Sequence, residues 1–157
     1  MDYAQSKYGQ KAEENFVNGY NCTQAVFLAF SDLYQMDMAT AARLSSSFGG
    51  GMGRLREVCG AVSGMFLVAG MLYGYDMPGD LEGKKEHYAR IQQLARAYEE
   101  ENGSIVCREL LRLDRKRDLP VPEERTAEYY KKRPCKKLVR MAAAIMEQYI
   151  EEHPLGT

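Results

Sequence analysis

An uncharged run near the middle of the chain constrains the fold more than any other part of the sequence. Residues Val58 to Tyr75 carry no formal charge, and a cluster of glycines stands just before them, at positions 49, 50, 51 and 53. Because glycine adopts left-handed backbone conformations easily, this cluster predicts a turn, with Gly49 ending the preceding helix. The run is shorter than the roughly 20 apolar residues that a bilayer crossing needs, and it is rich in glycine. We therefore expect a helix buried on all sides at the centre of the fold.

The glycines inside this predicted helix fall on one face. They form two pairs spaced four residues apart, Gly60 with Gly64 and Gly70 with Gly74. Missing side chains on one face predict a groove where a neighbouring backbone or a bulky cofactor approaches closely. The candidate cofactor-binding residues are accordingly Gly51, Gly53, Gly60 and Gly64.

The rest of the sequence also predicts helices. Apolar stripes at helical spacing and capping residues place them at about 3–17, from Asn21 onward, at 38–47, at 81–101, in a short segment capped by Ser104, and at 134–151. Leu44 and Tyr88 are among the side chains expected to face inward. Residues 112–122 contain two prolines and no periodicity, which predicts a loop.

No segment alternates in the manner of a strand, so the expected fold class is all-α. We predict one domain over residues 1–157, a bundle of about six or seven helices around the glycine-rich central helix.

Charge and composition narrow the range of partners and compartments. The 21 lysines and arginines nearly balance the 22 aspartates and glutamates, and the net charge of -1 gives no overall attraction to nucleic acid or to an anionic membrane. The first 16 residues are polar and lack the apolar segment of a secretion signal. We therefore expect a cytoplasmic protein with neither nucleic acid nor a membrane as partner. In that compartment, metal binding, redox chemistry or plain burial explains four cysteines better than structural disulfides do.

Each of the four cysteines falls within about the first turn of a predicted helix: Cys22, Cys59, Cys107 and Cys135. Free N–H groups and the positive end of the helix macrodipole stabilise a thiolate at such positions. Nearby cations act in the same direction, since Arg54 and Arg56 precede Cys59, Arg108 follows Cys107, and five lysines and arginines flank Cys135. We therefore predict thiol pKa values below the usual value of about 8.5. The four cysteines are the candidate redox residues and the candidate metal ligands.

Burial is the competing explanation, because cysteine also packs as a small hydrophobic residue. The four cysteines stand dozens of residues apart, and none belongs to the Cys-x-x-Cys pair typical of zinc ribbons and thioredoxin sites. Spacing alone favours convergence of the sulfurs and their separate burial equally.

The segments that contain these residues resemble a known family. They read Asn21-Cys22-Thr23-Gln24-Ala25-Val26, then Phe48-Gly49-Gly50-Gly51-Met52-Gly53, then Cys59-Gly60-Ala61-Val62-Ser63-Gly64, with Cys107 and Cys135 following. The resemblance is to the redox-active proteins named for the pattern C_GCAxxG_C_C, and it extends from Cys22 to the final helix. It implies an all-helical domain whose four cysteines gather at one redox site, with an iron–sulfur cluster as the expected cofactor.

The central motif departs from that pattern. The family pattern reads Gly-Cys-Ala, whereas here Cys59 and Gly60 precede Ala61, so the sulfur stands one residue earlier. One residue corresponds to about 100° around a helix. Either the helix begins after Cys59 and the sulfur still reaches the site, or Cys59 points elsewhere.

Three functions fit these features. In the first, which we favour, the four thiolates hold an iron–sulfur cluster or another metal centre and the protein exchanges electrons with a partner protein. In the second, no metal is bound, and a cysteine pair cycles between dithiol and disulfide with a thiol partner. In the third, the chain is a non-enzymatic helical module whose cysteines are buried or bind zinc.

A monomer and a homodimer both fit the sequence. The first helix has only a narrow apolar stripe, and the nine methionines supply apolar surface that the predicted core does not use.

Overall fold

The computed structural model describes residues 2–114 and 117–156. These residues form no β-strand and nine helical segments, seven of which have six residues or more, which confirms the predicted all-α bundle. The short fourth segment is left-handed at Gly50 and Gly51 and is not a regular helix. The helices are α1 (Lys7–Val17), α2 (Cys22–Ala29), α3 (Met38–Ser45), α4 (Gly49–Met52), α5 (Gly60–Tyr73), α6 (Leu81–Asn102), α7 (Cys107–Leu110), α8 (Ala127–Lys132) and α9 (Cys135–Glu152). Of the predicted loop at 112–122, Arg115 and Lys116 lie outside the described residues.

The core is built by α1, α2, α5 and α9. Helix α1 packs against α2 and α9, and α2 packs against α5. Large side chains fully enclosed between them include Phe16, Phe27, Phe30, Met65 and Met146. Helix α2 contacts α5 very closely, because a Cβ added at Gly64 would lie 2.7 Å from the carbonyl oxygen of Thr23. The neighbouring backbone of α2 therefore occupies the groove at Gly64.

Capping residues begin or end several of the helices where the sequence predicts. The side chain of Asn21 accepts a hydrogen bond from the Gln24 N–H at 2.9 Å, and the Gln24 side chain accepts one from the Asn21 N–H at 3.1 Å. This reciprocal pair is a capping box that fixes the start of α2 immediately before Cys22. Asp37 caps α3, and Gly103 ends α6 at φ +90°.

The central helix differs from its prediction in length and burial. It runs over Gly60–Tyr73 rather than from Val58 to Tyr75, because Val58 instead forms an isolated antiparallel backbone bridge with Val106. It is not buried on all sides, since Met71 is 41% exposed. The second glycine pair forms no contact face, because no neighbouring atom lies within 4 Å of a Cβ built at Gly70.

Several side-chain and capping predictions were also wrong. Leu44 and Tyr88 are exposed, since α3 turns Ala41 and Ser45 inward and α6 enters the core only at its later residues. The left-handed turn involves glycines 50, 51 and 53, whereas Gly49 has φ -62°.

The short helices also differ from the prediction. Val106, not Ser104, is the N-cap of α7, and the Ser104 hydroxyl accepts a hydrogen bond from the Val106 N–H at 2.9 Å. Helix α8 was not predicted, because its six residues contain no buried stripe. Within residues 2–114 and 117–156, no helix has both the length and the apolar character needed to cross a bilayer.

Candidate functional site

The four cysteines line one cavity of about 370 Å³. Cys22, Cys107 and Cys135 are the first residues of α2, α7 and α9, and Cys59 is the N-cap residue of α5. All four are free thiols. The structure thus brings together cysteines that are far apart in the sequence, and it directs the N-termini of four helices at the same space.

A short antiparallel backbone pairing links the segments that carry Cys59 and Cys107, with Val58 opposite Val106 at its centre. The Cys59 N–H donates to the carbonyl of Ile105 at 2.7 Å, and the Cys107 N–H donates to the carbonyl of Glu57 at 2.6 Å. Because α5 begins at Gly60, Cys59 lies just before the helix, and it lines the cavity. Of the two arrangements that the sequence left open, the structure has the first.

The glycines around the cavity make room for the cysteines. A Cβ on Gly60 would lie 2.3 Å from the Cys22 sulfur, and a Cβ on Gly51 would lie 2.6 Å from the Cys107 Cβ. Gly53 and Gly60 line the cavity, as do Gly49 and Gly50, which were not among the candidates. Gly51 lies behind Cys107, and Gly64 contacts α2 instead.

Four arginines also line the cavity: Arg54, Arg56, Arg125 and Arg133. Arg56 is only 4% exposed. Its Nη1 lies 3.6 Å from the Cys107 sulfur, and its Nε donates to the Asp118 carboxylate at 2.8 Å. The sequence suggested that Arg56 acts on Cys59, whereas the folded chain directs it to Cys107. Glu123 is the one acidic residue among the described residues that line the cavity, so cations predominate there.

Tyr98 is a further functional side chain that the sequence did not indicate as one. Its hydroxyl lies 3.4 Å from the Cys59 sulfur, and its side chain is fully buried. The apolar stripe of α6 predicted Tyr98 as a core residue, but helical spacing alone does not show which sulfur its hydroxyl contacts. Cys59 and Cys107 thus each have one polar side chain against the sulfur.

A comparison with protein families identifies the group to which this arrangement belongs. The family model described as putative redox-active protein (C_GCAxxG_C_C) matches residues 20–149, a stretch that contains all four cysteines. The chain belongs to this family. No curated protein and no solved structure gives a match. The resemblance seen in the sequence is confirmed, and the C_GCAxxG_C_C family is described as redox-active.

Burial, rather than helix position, dominates the ionisation of the site. Desolvation and then the neighbouring Cys22 raise the pKa of the Cys59 thiol from 9.0 to about 12, against the opposing effect of the Tyr98 hydroxyl. Burial also raises the pKa of Cys107 and of Cys135, although Arg56 acts to lower that of Cys107. The predicted low pKa values are therefore wrong for these three thiols, because removal from water destabilises the thiolate more than the helix N-terminus stabilises it.

The raised pKa of Cys59 predicts a pH-dependent loss of stability in the metal-free protein. The folded state holds the Cys59 proton more tightly than the unfolded chain does, so stability falls as pH rises from 9.0 to about 12. The whole effect is on the order of 4 kcal/mol. Urea unfolding across this range should show a flatter pH profile for Cys59→Ala than for the parent. Parallel profiles would show that the Cys59 pKa is not raised.

The cysteines are not arranged around a single ion. Among the described residues, no group of three or more histidine, cysteine, aspartate or glutamate side chains is placed to hold one metal ion. A tetrahedral zinc with Zn–S bonds of about 2.3 Å needs its sulfurs only about 4 Å apart. The four cysteines instead line a cavity of about 370 Å³.

Proposed function

We propose that this member of the C_GCAxxG_C_C family is a one-electron transfer protein whose four cysteines hold an iron–sulfur cluster. The observation that carries the proposal is the convergence of Cys22, Cys59, Cys107 and Cys135 on one cavity. Cysteine thiolates are the usual ligands of [4Fe–4S] and [2Fe–2S] clusters, which need four of them.

The electrostatics of the cavity support an anionic cofactor. A cluster held by four cysteine thiolates is a negatively charged group. Here the N-terminal residues of four helices and four arginines line the cavity that would contain it. Arg56 pairs with Asp118, and Arg54 and Arg133 contact Glu123, so part of this positive charge is compensated within the protein. Four arginines against these two carboxylates still leave positive charge in excess, which fits an anionic cofactor better than it fits inert packing.

The size of the cavity favours a polynuclear cofactor over zinc. A cluster separates its cysteine ligands by several atoms, whereas a single ion draws them together. The cavity of about 370 Å³ and the lack of a single-ion arrangement among the described residues support the larger group.

The protein's own residues would prepare and adjust this site. Binding of metal must displace the thiol protons, which burial holds tightly on Cys59, Cys107 and Cys135. When bound, an iron–sulfur cluster supplies reversible one-electron chemistry at a potential set by charge and by hydrogen bonds to the sulfurs. Tyr98 and Arg56 are placed to provide such hydrogen bonds to Cys59 and Cys107.

Iron and acid-labile sulfide analysis of anaerobically purified protein tests the proposal. The parent should be brown and contain iron and sulfide in equal amounts. The double variant Cys22→Ser/Cys135→Ser should lose most of both, because it removes half of the ligands. Val139→Ala is the control, since Val139 is fully buried on α9 but does not line the cavity, and it should lower stability and keep the iron. Colourless parent protein that resists reconstitution would exclude the proposal.

Thiol–disulfide exchange is the second candidate. It is favoured by the contact of the Cys22 sulfur with Gly60, the residue after Cys59, and by the effect of Cys22 on the pKa of Cys59. In iron-free protein, a mild added oxidant should then take up two electrons and two protons from the Cys22 and Cys59 thiols, and the resulting disulfide should lower the mass by two hydrogen atoms. Four unchanged thiols after that treatment would exclude this candidate.

Tyr98→Phe should lower the reduction potential of the centre while preserving the packing. The substitution removes only the hydroxyl that lies 3.4 Å from the Cys59 sulfur. A hydrogen bond to a ligand sulfur stabilises the more negative, reduced state, so its loss disfavours reduction. An anaerobic redox titration followed by EPR measures the potential. Tyr34→Phe is the matched control, because its hydroxyl instead donates to the carbonyl of Phe27, and its potential should equal that of the parent.

A potential for Tyr98→Phe equal to that of Tyr34→Phe would show that the Tyr98 hydroxyl does not act on the centre.

A further inference from the structure

A second cleft, strongly basic, lies beside the cysteine cavity. Its volume is about 750 Å³, and Glu13 is the one acidic residue among the described residues that line it. Arg133 lines both spaces. The other six cations are Arg112, Lys131, Lys132, Lys136, Lys137 and Arg140. A chain with a net charge of -1 therefore concentrates positive charge on one face.

Internal ion pairs leave part of this charge uncompensated. Glu13 pairs with Lys136 at 3.5 Å and with Arg140 at 2.8 Å, and Glu128 pairs with Lys132 at 3.3 Å. In residues 2–114 and 117–156, Arg112, Lys131 and Lys137 form no ion pair. The cleft therefore keeps a net positive charge that an acidic surface can neutralise.

The basic cleft reaches the proposed redox centre through α9. Cys135 lines the cysteine cavity, while the residues on either side of it, Pro134 and Lys136, line the basic cleft. Leu110 and Leu111 separate the two spaces and line both. A partner bound in the cleft would lie one residue away from a cluster ligand, which is a suitable position for electron exchange.

We propose that the basic cleft is the docking surface for a small acidic electron-carrier protein. This inference rests on the proposed function, since it names the partner of the same centre. One electron passes from the reduced carrier to the four-cysteine centre, so the carrier is oxidised by one electron and the centre is reduced by one. No atom is transferred.

A protein partner fits the cleft better than a small anion does. The Lys132 and Lys136 side chains are 73% and 49% exposed, and lysine ammonium groups in such positions are flexible and well hydrated. A small-anion site would need buried donors fixed on the ligand, whereas exposed lysines spread over a broad face steer the approach of an oppositely charged protein.

The test uses an acidic [2Fe–2S] ferredoxin as the anionic carrier and methyl viologen as the cationic one. Stopped-flow reduction of the reconstituted protein is followed with each carrier, for the parent and for Lys131→Glu/Lys137→Glu. We expect the double variant to lose about tenfold or more of its rate with ferredoxin, and the parent rate to fall as ionic strength rises from about 0.01 to 0.15 M. The rate of reduction by methyl viologen should not fall in either comparison.

Comparison of the two carriers separates docking from a change in reduction potential. A changed potential would alter both rates together, whereas lost docking slows ferredoxin alone. Lys84→Glu/Lys85→Glu makes the same charge change on α6, away from both cavities, and it should leave the ferredoxin rate near that of the parent.

The rate and self-association measurements can overturn the docking proposal in three ways. Lys131→Glu/Lys137→Glu could slow reduction equally with both carriers, or the α6 control could slow reduction by ferredoxin as much as the cleft variant does. The parent could also self-associate in a salt-dependent way that the cleft variant abolishes, which would identify a second copy of the chain as the partner. Calorimetric binding of ferredoxin to the iron-free protein distinguishes the two proposals. If iron-free protein binds ferredoxin, the docking proposal stands even where the cluster proposal fails. If iron-loaded protein does not bind ferredoxin, the docking proposal alone is excluded.

Discussion

Gly51→Ala is expected to lower the free energy of unfolding by about 2–5 kcal/mol, the sum of left-handed strain and overpacking. Gly51 has φ +70°, and a Cβ there would lie 2.6 Å from the Cys107 Cβ, 2.8 Å from the Arg56 Cα and 2.9 Å from the Glu57 nitrogen. Two of these three neighbours are backbone atoms, which cannot move without disturbing the backbone pairing that links the Cys59 and Cys107 segments. Urea unfolding of iron-free protein measures the loss, and iron content after reconstitution should fall with it.

Gly53→Ala is the control that separates strain from crowding. Gly53 also has a left-handed conformation, at φ +63°, but the nearest atom to its Cβ position is the Ser47 carbonyl oxygen at 3.8 Å. Its substitution should therefore cost only the strain, about 1–2 kcal/mol. If the two variants lost equal stability, the close packing of Gly51 against Cys107 would be wrong.

Features of the fold that depend on near neighbours in the sequence were predictable. A capping residue bonds to backbone groups only three or four residues away, so its type alone indicates where a helix begins or ends. This holds for Asn21 with Gln24, for Asp37 and for Gly103. This is why the sequence could place Cys22 at a helix N-terminus.

Convergence of the cysteines could not be derived from spacing, because it depends on tertiary contacts. The segments that carry Cys59 and Cys107 are joined by the isolated bridge between Val58 and Val106, which has no periodic signal in the sequence. Only the family resemblance pointed to a common site.

Thiol ionisation was mispredicted for a related reason. Helix position can be read from the sequence and favours a thiolate, but the extent of desolvation depends on the finished packing. At Cys59, Cys107 and Cys135 desolvation is the larger effect, and it raises the pKa.

Arg56→Met is expected to destabilise the protein by about 2–4 kcal/mol, somewhat less than complete loss of a buried ion pair. Arg56 and Asp118 have side chains only 5% and 8% exposed, and their Nε–Oδ2 distance is 2.8 Å. Methionine keeps much of the apolar stem but removes the short charge-assisted bond to the Asp118 carboxylate, and the guanidinium of Arg54 lies farther from that carboxylate, at 3.8 Å. The pKa of Cys107 should rise further, because Arg56 holds it down. Urea unfolding and the pH dependence of Cys107 alkylation measure the two effects.

A double-mutant cycle identifies the source of the loss. Arg56→Met/Asp118→Asn should regain part of the stability, because it also removes the buried carboxylate that loses its bond to Arg56 in the single variant. Arg108→Met is the control, since its pair with Glu57 at 3.2 Å has side chains 32% and 47% exposed, and it should cost at most about 1 kcal/mol. The raised Cys107 pKa should persist in the double variant, because the guanidinium beside the sulfur is absent there too. If the double variant instead regained stability and also returned the Cys107 pKa to its parent value, Arg56 would act on Cys107 only through the position of the Asp118 segment. The contact of 3.6 Å between Arg56 and the Cys107 sulfur would then have no effect on the pKa.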